Sequence, residues 1–198
     1  MRPTYVNIHT HRPAGCGIEL RTAGIHPWDA ERAQAADLLP LGDGVQAIGE
    51  TGLDFAAAVD REAQRRLFDA QLRLARERGL PVVLHCVRAF EETMRRLAAC
   101  TPRAVIFHGS IGSPEQARQA LAKGYCLSFG ERTFRSPRSM EALRATPSGQ
   151  LFLETDDSPV PIGEIYARAA GLRGESVAEL QRTTTENYER IFIYGQLA

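Results

Sequence analysis

The stretch Tyr5-Val6-Asn7-Ile8-His9-Thr10-His11, close to the start of the chain, decides the predicted fold. Its first half is typical of a short β-strand, because aromatic and β-branched side chains suit a pleated surface. Side chains alternate between the two faces of a strand, so His9 and His11 point the same way, about 7 Å apart. Two imidazoles placed like this can bind one divalent cation. The stretch therefore predicts a strand that ends in a pair of metal ligands.

The other histidines repeat this placement at the end of an apolar run. The chain has five histidines in all. The remaining three follow the runs 22–25, 81–84 and 104–107, as His26, His85 and His108. Histidines scattered over a core or a surface would not all fall at strand ends. We therefore expect the strand ends to form one functional site.

Strand-like and helix-like segments alternate along the chain, and this order favours a parallel α/β fold. Seven strands are expected, at residues 5–8, 18–25, 45–48, 81–86, 104–108, 125–129 and 151–157. Polar residues at their carboxyl ends favour a TIM-like (β/α) barrel, whose active site lies on that face. The sequence has no GxGxxG or P-loop motif, which argues against an open nucleotide-binding sheet. A length of 198 residues predicts a single domain spanning residues 1–198.

The helices carry recognisable start and stop signals. The longest is expected over residues 60–78, where apolar residues recur at spacings of three and four, with Gly79 after its end. Ser113-Pro114 and the capping box Ser176 to Glu179 predict two further helix starts. A short helix is also expected over residues 30–39.

Composition narrows the class of protein. The 24 Lys and Arg balance the 24 Asp and Glu, so no bulk charge draws the chain to nucleic acid or to a membrane. No apolar run reaches transmembrane length, and the first residues lack the apolar core of a signal peptide. The four cysteines show no CxxC or zinc-finger spacing. These features predict a cytoplasmic protein with reduced thiols and no membrane contact.

Imidazoles and carboxylates without thiolates, gathered at strand ends, fit Zn, Mn or similar divalent ions. The candidate residues are His9, His11, His26, Glu50, His85, His108 and Asp156. This set is large enough for two ions, and the two oxygens of Glu50 suit it to bridge them. Such a pair, about 3.5–4 Å apart, activates water at neutral pH. Asp156 is then the natural proton acceptor for that water.

The order of these motifs resembles the TatD family of metal-dependent hydrolases, within the amidohydrolase superfamily. The motifs are His-x-His at 9–11, Gly-Ile-His-Pro at 24–27, Gly-Glu-Thr-Gly-Leu-Asp at 49–54, Leu-His at 84–85, His-Gly at 108–109 and Glu-Thr-Asp at 154–156. The likeness covers nearly the whole chain. It implies a barrel with a dinuclear centre of Zn, Mg or Mn, and phosphodiester hydrolysis, often as a deoxyribonuclease.

The resemblance also implies a role for each site residue. On the family's pattern, His9, His11, Glu50 and Asp156 bind the first ion. Glu50, His85 and His108 bind the second ion, and His26 faces the substrate.

Three departures from the family's pattern bear on these expectations. Asn7 stands where the family often has Asp. Only twelve residues separate His11 from Gly24, where relatives usually carry a further helix and strand. We therefore expect one missing βα unit and a gap or widened pairing beside the first strand. The loop after Asp156 lacks the Arg-Asn pair that helps relatives to bind substrate.

The expected substrate is a phosphodiester, as a small molecule or single-stranded nucleic acid. Arginines that follow strand ends could contact its phosphates: Arg12, Arg88, Arg132 and Arg135. Two alternatives stay open: an amide or ester hydrolase of the same superfamily, and a metal-binding protein with little catalysis. An exposed sheet edge could also support a homodimer.

Overall fold

The computed structural model describes residues 2–109 and 112–196. The chain divides into two compact units, one formed by Met1–Leu20 with His108–Ala198, the other by Arg21–Phe107. The strands are β1 (Val6–Asn7), β2 (Ile18–Glu19), β3 (Thr22–Ala23), β4 (Ala47–Asp54), β5 (Val82–Val87), β6 (Val105–Phe107), β7 (Cys126–Phe129) and β8 (Leu151–Leu153). The α-helices are α1 (Arg61–Glu77), α2 (Phe90–Ala99), α3 (Pro114–Ala122), α4 (Pro137–Ala145), α5 (Ile162–Arg173) and α6 (Val177–Tyr188).

Each unit contains its own run of parallel strands, as the α/β prediction requires. In the first unit the order is β2-β1-β8-β7. In the second unit the order is β3-β4-β5-β6. Parallel strands need crossover connections, and α1, α2 and α4 supply them between β4 and β5, between β5 and β6, and between β7 and β8.

The predicted end signals of α1, α3 and α6 are confirmed. In the second unit, the Asp60 side chain caps α1 by accepting from Ala63 N at 2.7 Å, and Gly79 follows the helix with φ +62°. The inward face of α1 includes the fully buried Phe68 and Leu72, each stabilising the fold by about 1.5–3 kcal/mol. In the first unit, Ser176 and Glu179 form the predicted capping box at the start of α6. Among the described residues, no helix is both long and apolar enough to span a membrane.

The prediction of seven strands is wrong. The expected strand at 18–25 is two strands of two residues, β2 and β3, so the described residues form eight strands. Leu20 N still donates to Asn7 O at 3.2 Å, whereas Arg21 O accepts from Gln46 N at 2.8 Å. The chain thus exchanges one pairing partner for another at this point, which a single run of strand-forming residues does not reveal.

The predicted gap beside the first strand is wrong as well. β1 is paired on both sides, with Val6 opposite Ile18 of β2 and Asn7 opposite Leu153 of β8. In the part of the chain that the structure describes, β2 stands beyond β1 at the end of the strand order, so the side without a partner belongs to β2 instead.

The expected helix at 30–39 is absent from the described residues. Two short 3₁₀ turns stand in this region, Pro27–Asp29 and Ala35–Leu38. Leu39 is extended, with ψ 142°, because a residue that precedes proline avoids the helical region. Pro40 therefore excludes Leu39, the last residue of the expected helix, from helical structure.

Candidate metal centres

The first unit brings His9, His11 and Asp156 together; we name them the His9 group. His9 and His11 follow β1, and Asp156 follows β8. The backbone fixes their approach, because Asp156 N donates to His9 O at 3.1 Å and His11 N donates to Asp156 O at 3.0 Å. Asp156 Oδ1 lies 3.7 Å from His9 Nε2 and 3.5 Å from His11 Nε2. One potential ligand atom from each of the three lies within 4.8 Å of the others, a spacing that one cation can span.

A second triad in the same unit shares Asp156. His108, Glu154 and Asp156 also offer ligand atoms within 4.8 Å of one another. Glu154 is fully buried, and its Oε1 accepts from Gly109 N at 2.7 Å and lies 3.6 Å from His108 Nδ1. The rings of His9 and His108 are 4.3 Å apart, so the two triads are continuous.

The two carboxylates of this unit affect each other. Burial and the neighbouring charge of Glu154 raise the pKa of Asp156. Burial is the largest influence and acts to raise the pKa of Glu154, but its interactions with His108, His9 and Ser128 together outweigh burial and lower that pKa. Two carboxylates held this close, with imidazoles around them, form a donor set that suits a divalent cation.

The second unit brings His26, Glu50 and His85 together; we name them the Glu50 group. Glu50 Oε1 lies 2.7 Å from His85 Nδ1 and 3.5 Å from His26 Nε2. The rings of the two histidines are 4.5 Å apart, and again one ligand atom from each residue lies within 4.8 Å of the others. His26, which we expected to face the substrate, is therefore also a candidate ligand.

Glu50 lies inside a strand rather than beyond its end. The strand predicted at 45–48 extends as β4 from Ala47 to Asp54, and its register against β5 shifts between Ile48 and Thr51. Gly52 allows the close approach of the two strands, because a Cβ there would lie 1.9 Å from His85 O and its φ is +145°. The absence of a side chain at Gly52 thus lets β4 pack closely against β5, the strand that carries His85.

Asp54 extends the Glu50 group. Its Oδ2 accepts from Trp28 Nε1 at 2.7 Å and lies 3.3 Å from His85 Nε2. Its Oδ1 accepts from the backbone N–H of Ala56 and Ala57 at 2.9 and 3.2 Å. Burial is the largest influence and acts to raise the pKa of Asp54, but its interactions with Trp28, Ala56 and His85 together outweigh burial and lower that pKa. Asp54 is thus a fixed carboxylate that orients His85.

Sequence reasoning assigned no role to Glu154 or Asp54, although both stood in the quoted motifs. Glu154 precedes Asp156 by two residues, and Asp54 follows Glu50 by four. Side chains at even spacing share a face of a strand, so this spacing was the signal that could have identified them.

Asn7, where the family often has Asp, lies in β1 and supports the His9 group through hydrogen bonds to Thr155. Its side-chain amide donates to Thr155 Oγ1 at 2.9 Å and accepts from Thr155 N at 3.0 Å. The Thr155 hydroxyl in turn donates to Thr10 Oγ1 at 2.9 Å. These bonds join the residue before Asp156 to the residue between His9 and His11.

The predicted phosphate-binding arginines are exposed, but not all are free. Arg132 donates to both carboxylate oxygens of Asp157, at 3.1 and 3.0 Å. Arg135 is paired with Glu131. Arg88 follows the end of β5 with φ +51°, and Arg12 follows the His9 group.

Comparisons with known proteins identify a family. A profile of the family described as TatD related DNase matches residues 19–193. The 3'-5' ssDNA/RNA exonuclease TatD of Erwinia tasmaniensis is 32% identical over 201 residues, which cover 86% of this chain and 77% of the relative. The protein of the same name from Erwinia billingiae is 32% identical over 218 residues, which cover 94% and 81%.

Solved structures share the fold. The TatD homologue YJJV of Escherichia coli K12 has a TM-score of 0.79 and 26% identity, over 87% of this chain and 76% of that one. A TatD family hydrolase of Entamoeba histolytica has a TM-score of 0.73 at 19% identity, over 89% and 75%. These likenesses confirm the predicted fold class.

Proposed function

This chain belongs to the TatD family, and from that membership we propose that it is a dinuclear metal-dependent nuclease that hydrolyses single-stranded nucleic acid. The predictions of the family and of an enzyme are confirmed. The relatives named above are 3'-5' exonucleases of single-stranded DNA and RNA, and they support this substrate class. The observation that carries the proposal is the convergence of His9, His11 and Asp156 in a chain of this family.

The side chains fit two divalent ions, one in the His9 group and one in the Glu50 group. Each group offers two imidazoles and a carboxylate, the donors that Zn and Mn accept, while the carboxylates also suit Mg. In the first unit His108 and Glu154 are available as further ligands. The bridging role of Glu50 and its sharing of an ion with His108 stay predictions from the family's pattern.

Bound ions of this kind supply a nucleophile at neutral pH and stabilise charge on the attacking and leaving oxygens. Asp156 is placed to accept a proton from water, because its carboxylate faces the site between two imidazoles. Glu50 contacts Nδ1 of the His85 ring and Asp54 contacts its Nε2, and these two contacts fix the orientation of the ring.

Trp28 supports a preference for unpaired bases. Its side chain is 56% exposed, its indole N–H is held by Asp54, and its ring lies 4.7 Å from the His26 ring. An exposed, anchored aromatic ring can stack on any base of a single strand. A net charge of zero argues in the same direction, because strong binding to long duplex DNA requires many basic contacts.

We also propose a cytoplasmic location. The four cysteines are free thiols, which suits a reducing compartment. A homodimer stays a prediction, and light scattering of the purified protein would decide it.

The proposal is tested with single-stranded DNA and RNA oligonucleotides labelled at one end or the other. After treatment with a chelator, the protein should release no nucleotides. Addition of Mn, Mg or Zn should restore release, with duplex DNA degraded more slowly. Equal release with and without metal would contradict the proposal. Hydrolysis of carbonyl esters but not of phosphodiesters would replace it with the amide or ester alternative.

A further inference from the structure

The second unit contains an open cleft away from the Glu50 group, between the later turns of α1 and α2. Its volume is about 440 Å³, within the range of about 300–1,000 Å³ that small-molecule sites occupy. Four arginines line it: Arg73, Arg76, Arg95 and Arg96. Asp69, Ala99 and Cys100 complete its wall.

This lining concentrates positive charge on a chain that has no net charge. Four guanidinium groups stand against two carboxylates, Asp69 in the lining and Glu92, which pairs with Arg95 and Arg96, so the excess is two positive charges. Arg73 and Arg76 are exposed, and no ion pair involves either of them among the residues that the structure describes. They are three positions apart on α1 and therefore lie side by side. An anion in the cleft would reduce their mutual repulsion.

Arg96 is the fixed member of the cluster. It contacts Asp69 and donates through Nε to Glu92 Oε1 at 2.8 Å, and its side chain is only 17% exposed. Burial acts to lower the pKa of Arg96, but these acidic partners outweigh it and raise the pKa. The cleft thus combines one guanidinium held by Asp69 and Glu92 with the exposed guanidinium groups of Arg73 and Arg76, which suit a tetrahedral oxyanion.

The cleft is separate from the candidate metal centre of its unit. α1 and α2 follow β4 and β5, and a crossover helix returns towards the amino ends of the strands it connects. Arg73, Arg76, Arg95 and Arg96 belong to the later turns of these helices, so they lie towards the end opposite the carboxyl ends of the strands.

We propose that this cleft binds the phosphate group of a nucleotide or of a nucleic-acid strand. The arginines would contact phosphate oxygens, and the apolar side chain of Ala99 would border the sugar or base. Binding there needs no turnover, so the inference stands or falls separately from the proposed nuclease activity.

Cys100 gives a direct readout, because it lines the cleft, while the exposed Cys16 belongs to the other unit and serves as an internal control. The full-length protein, loaded with divalent metal, is alkylated with N-ethylmaleimide, and each cysteine is followed by peptide mass spectrometry. The probes are thymidine 5'-monophosphate and a hydrolysis-resistant phosphorothioate strand of about ten thymidines. When the probe concentration is about ten times its Kd, roughly one cleft in eleven is unoccupied. Cys100 should then react about tenfold more slowly. Cys16 should react at an unchanged rate.

The double variant Arg73→Gln/Arg76→Gln should raise the Kd for the protecting probe about tenfold or more. Arg66→Gln/Arg138→Gln removes two exposed arginines outside the cleft and should leave protection intact, which excludes an effect of net charge alone. Protection by the mononucleotide identifies a small-molecule site, and protection by the strand alone identifies a strand-docking site. Unprotected Cys100 with both probes, or equal protection in both double variants, would overturn the proposal.

Discussion

The Glu50 group and the His9 group contain the same kinds of side chain but hold them differently. In the Glu50 group, His85 contacts Glu50 at 2.7 Å and Asp54 at 3.3 Å, from neighbouring paired strands. In the His9 group, Asp156 Oδ1 lies 3.5 and 3.7 Å from the two imidazoles, beyond the usual hydrogen-bond length of about 3.2 Å.

Glu50 and Asp54 thus orient His85 before any ion binds, whereas the carboxylate of Asp156 lies near that of Glu154, whose charge raises the pKa of Asp156. An ion that enters the Glu50 group must replace existing hydrogen bonds of His85. An ion that enters the His9 group relieves the repulsion between Asp156 and Glu154. We therefore expect the ion at the His9 group to bind more tightly.

The largest expected effect comes from Asp156→Asn. Loss of this carboxylate removes both a ligand and the proton acceptor, so kcat on a single-stranded oligonucleotide should fall about 10²- to 10⁴-fold. The matched control is Asp157→Asn, which breaks the exposed ion pair with Arg132 and should stay close to wild type. Equal activity of the Asp156 variant and wild type would remove the His9 group from the mechanism.

Glu50→Gln distinguishes the two groups directly. The affinity of the more weakly bound ion, at the Glu50 group, should fall about 10- to 100-fold. The glutamine amide carries no charge and cannot reproduce the contact of Glu50 with His85. Calorimetric titration of Mn into metal-free protein measures both ions at once. If Glu50 bridges, both affinities fall. An unchanged titration would show that Glu50 binds neither ion.

Asn7→Ala tests how the His9 group is held. The substitution leaves the buried Thr155 N–H without its acceptor, and we expect a loss of about 1–3 kcal/mol in the free energy of unfolding. Urea denaturation of the metal-free protein measures this loss. A stability equal to wild type would show that the amide does not support the residues around Asp156.

The smallest effect concerns an ion-pair cluster between α1 and α2, which stabilises the fold without a bound metal ion. Burial acts to raise the pKa of Glu92, but the bonds from Arg96 and Arg95 outweigh it and lower the pKa from 4.5. A lowered pKa stabilises the fold above pH 4.5 and loses this contribution as the pH falls through the folded-state pKa. Glu92→Gln should therefore cost about 1 kcal/mol or less at pH 7, and less still at pH 4. A larger cost at pH 4 than at pH 7 would contradict this assignment.

The sequence predicted the features that rest on local chemistry. The caps of α1 and α6 follow from side chains next to the helix starts, and the histidine positions follow from apolar runs. The split of 18–25 into β2 and β3 depends on a change of pairing partner, which is a tertiary event that local propensity does not register. The position of Glu50 inside β4 was missed for a related reason, because the register shift beside Thr51 arises between strands.

The central claim is that two groups of side chains each bind a divalent ion in one enzyme. Native mass spectrometry of the metal-stripped chain during stepwise addition of Mn measures this most directly, with His11→Ala and His26→Ala in parallel. We predict two successive ions on wild type, loss of the tighter one in His11→Ala and of the weaker one in His26→Ala. Binding of no ion by wild type, or the same loss in both variants, would contradict the claim.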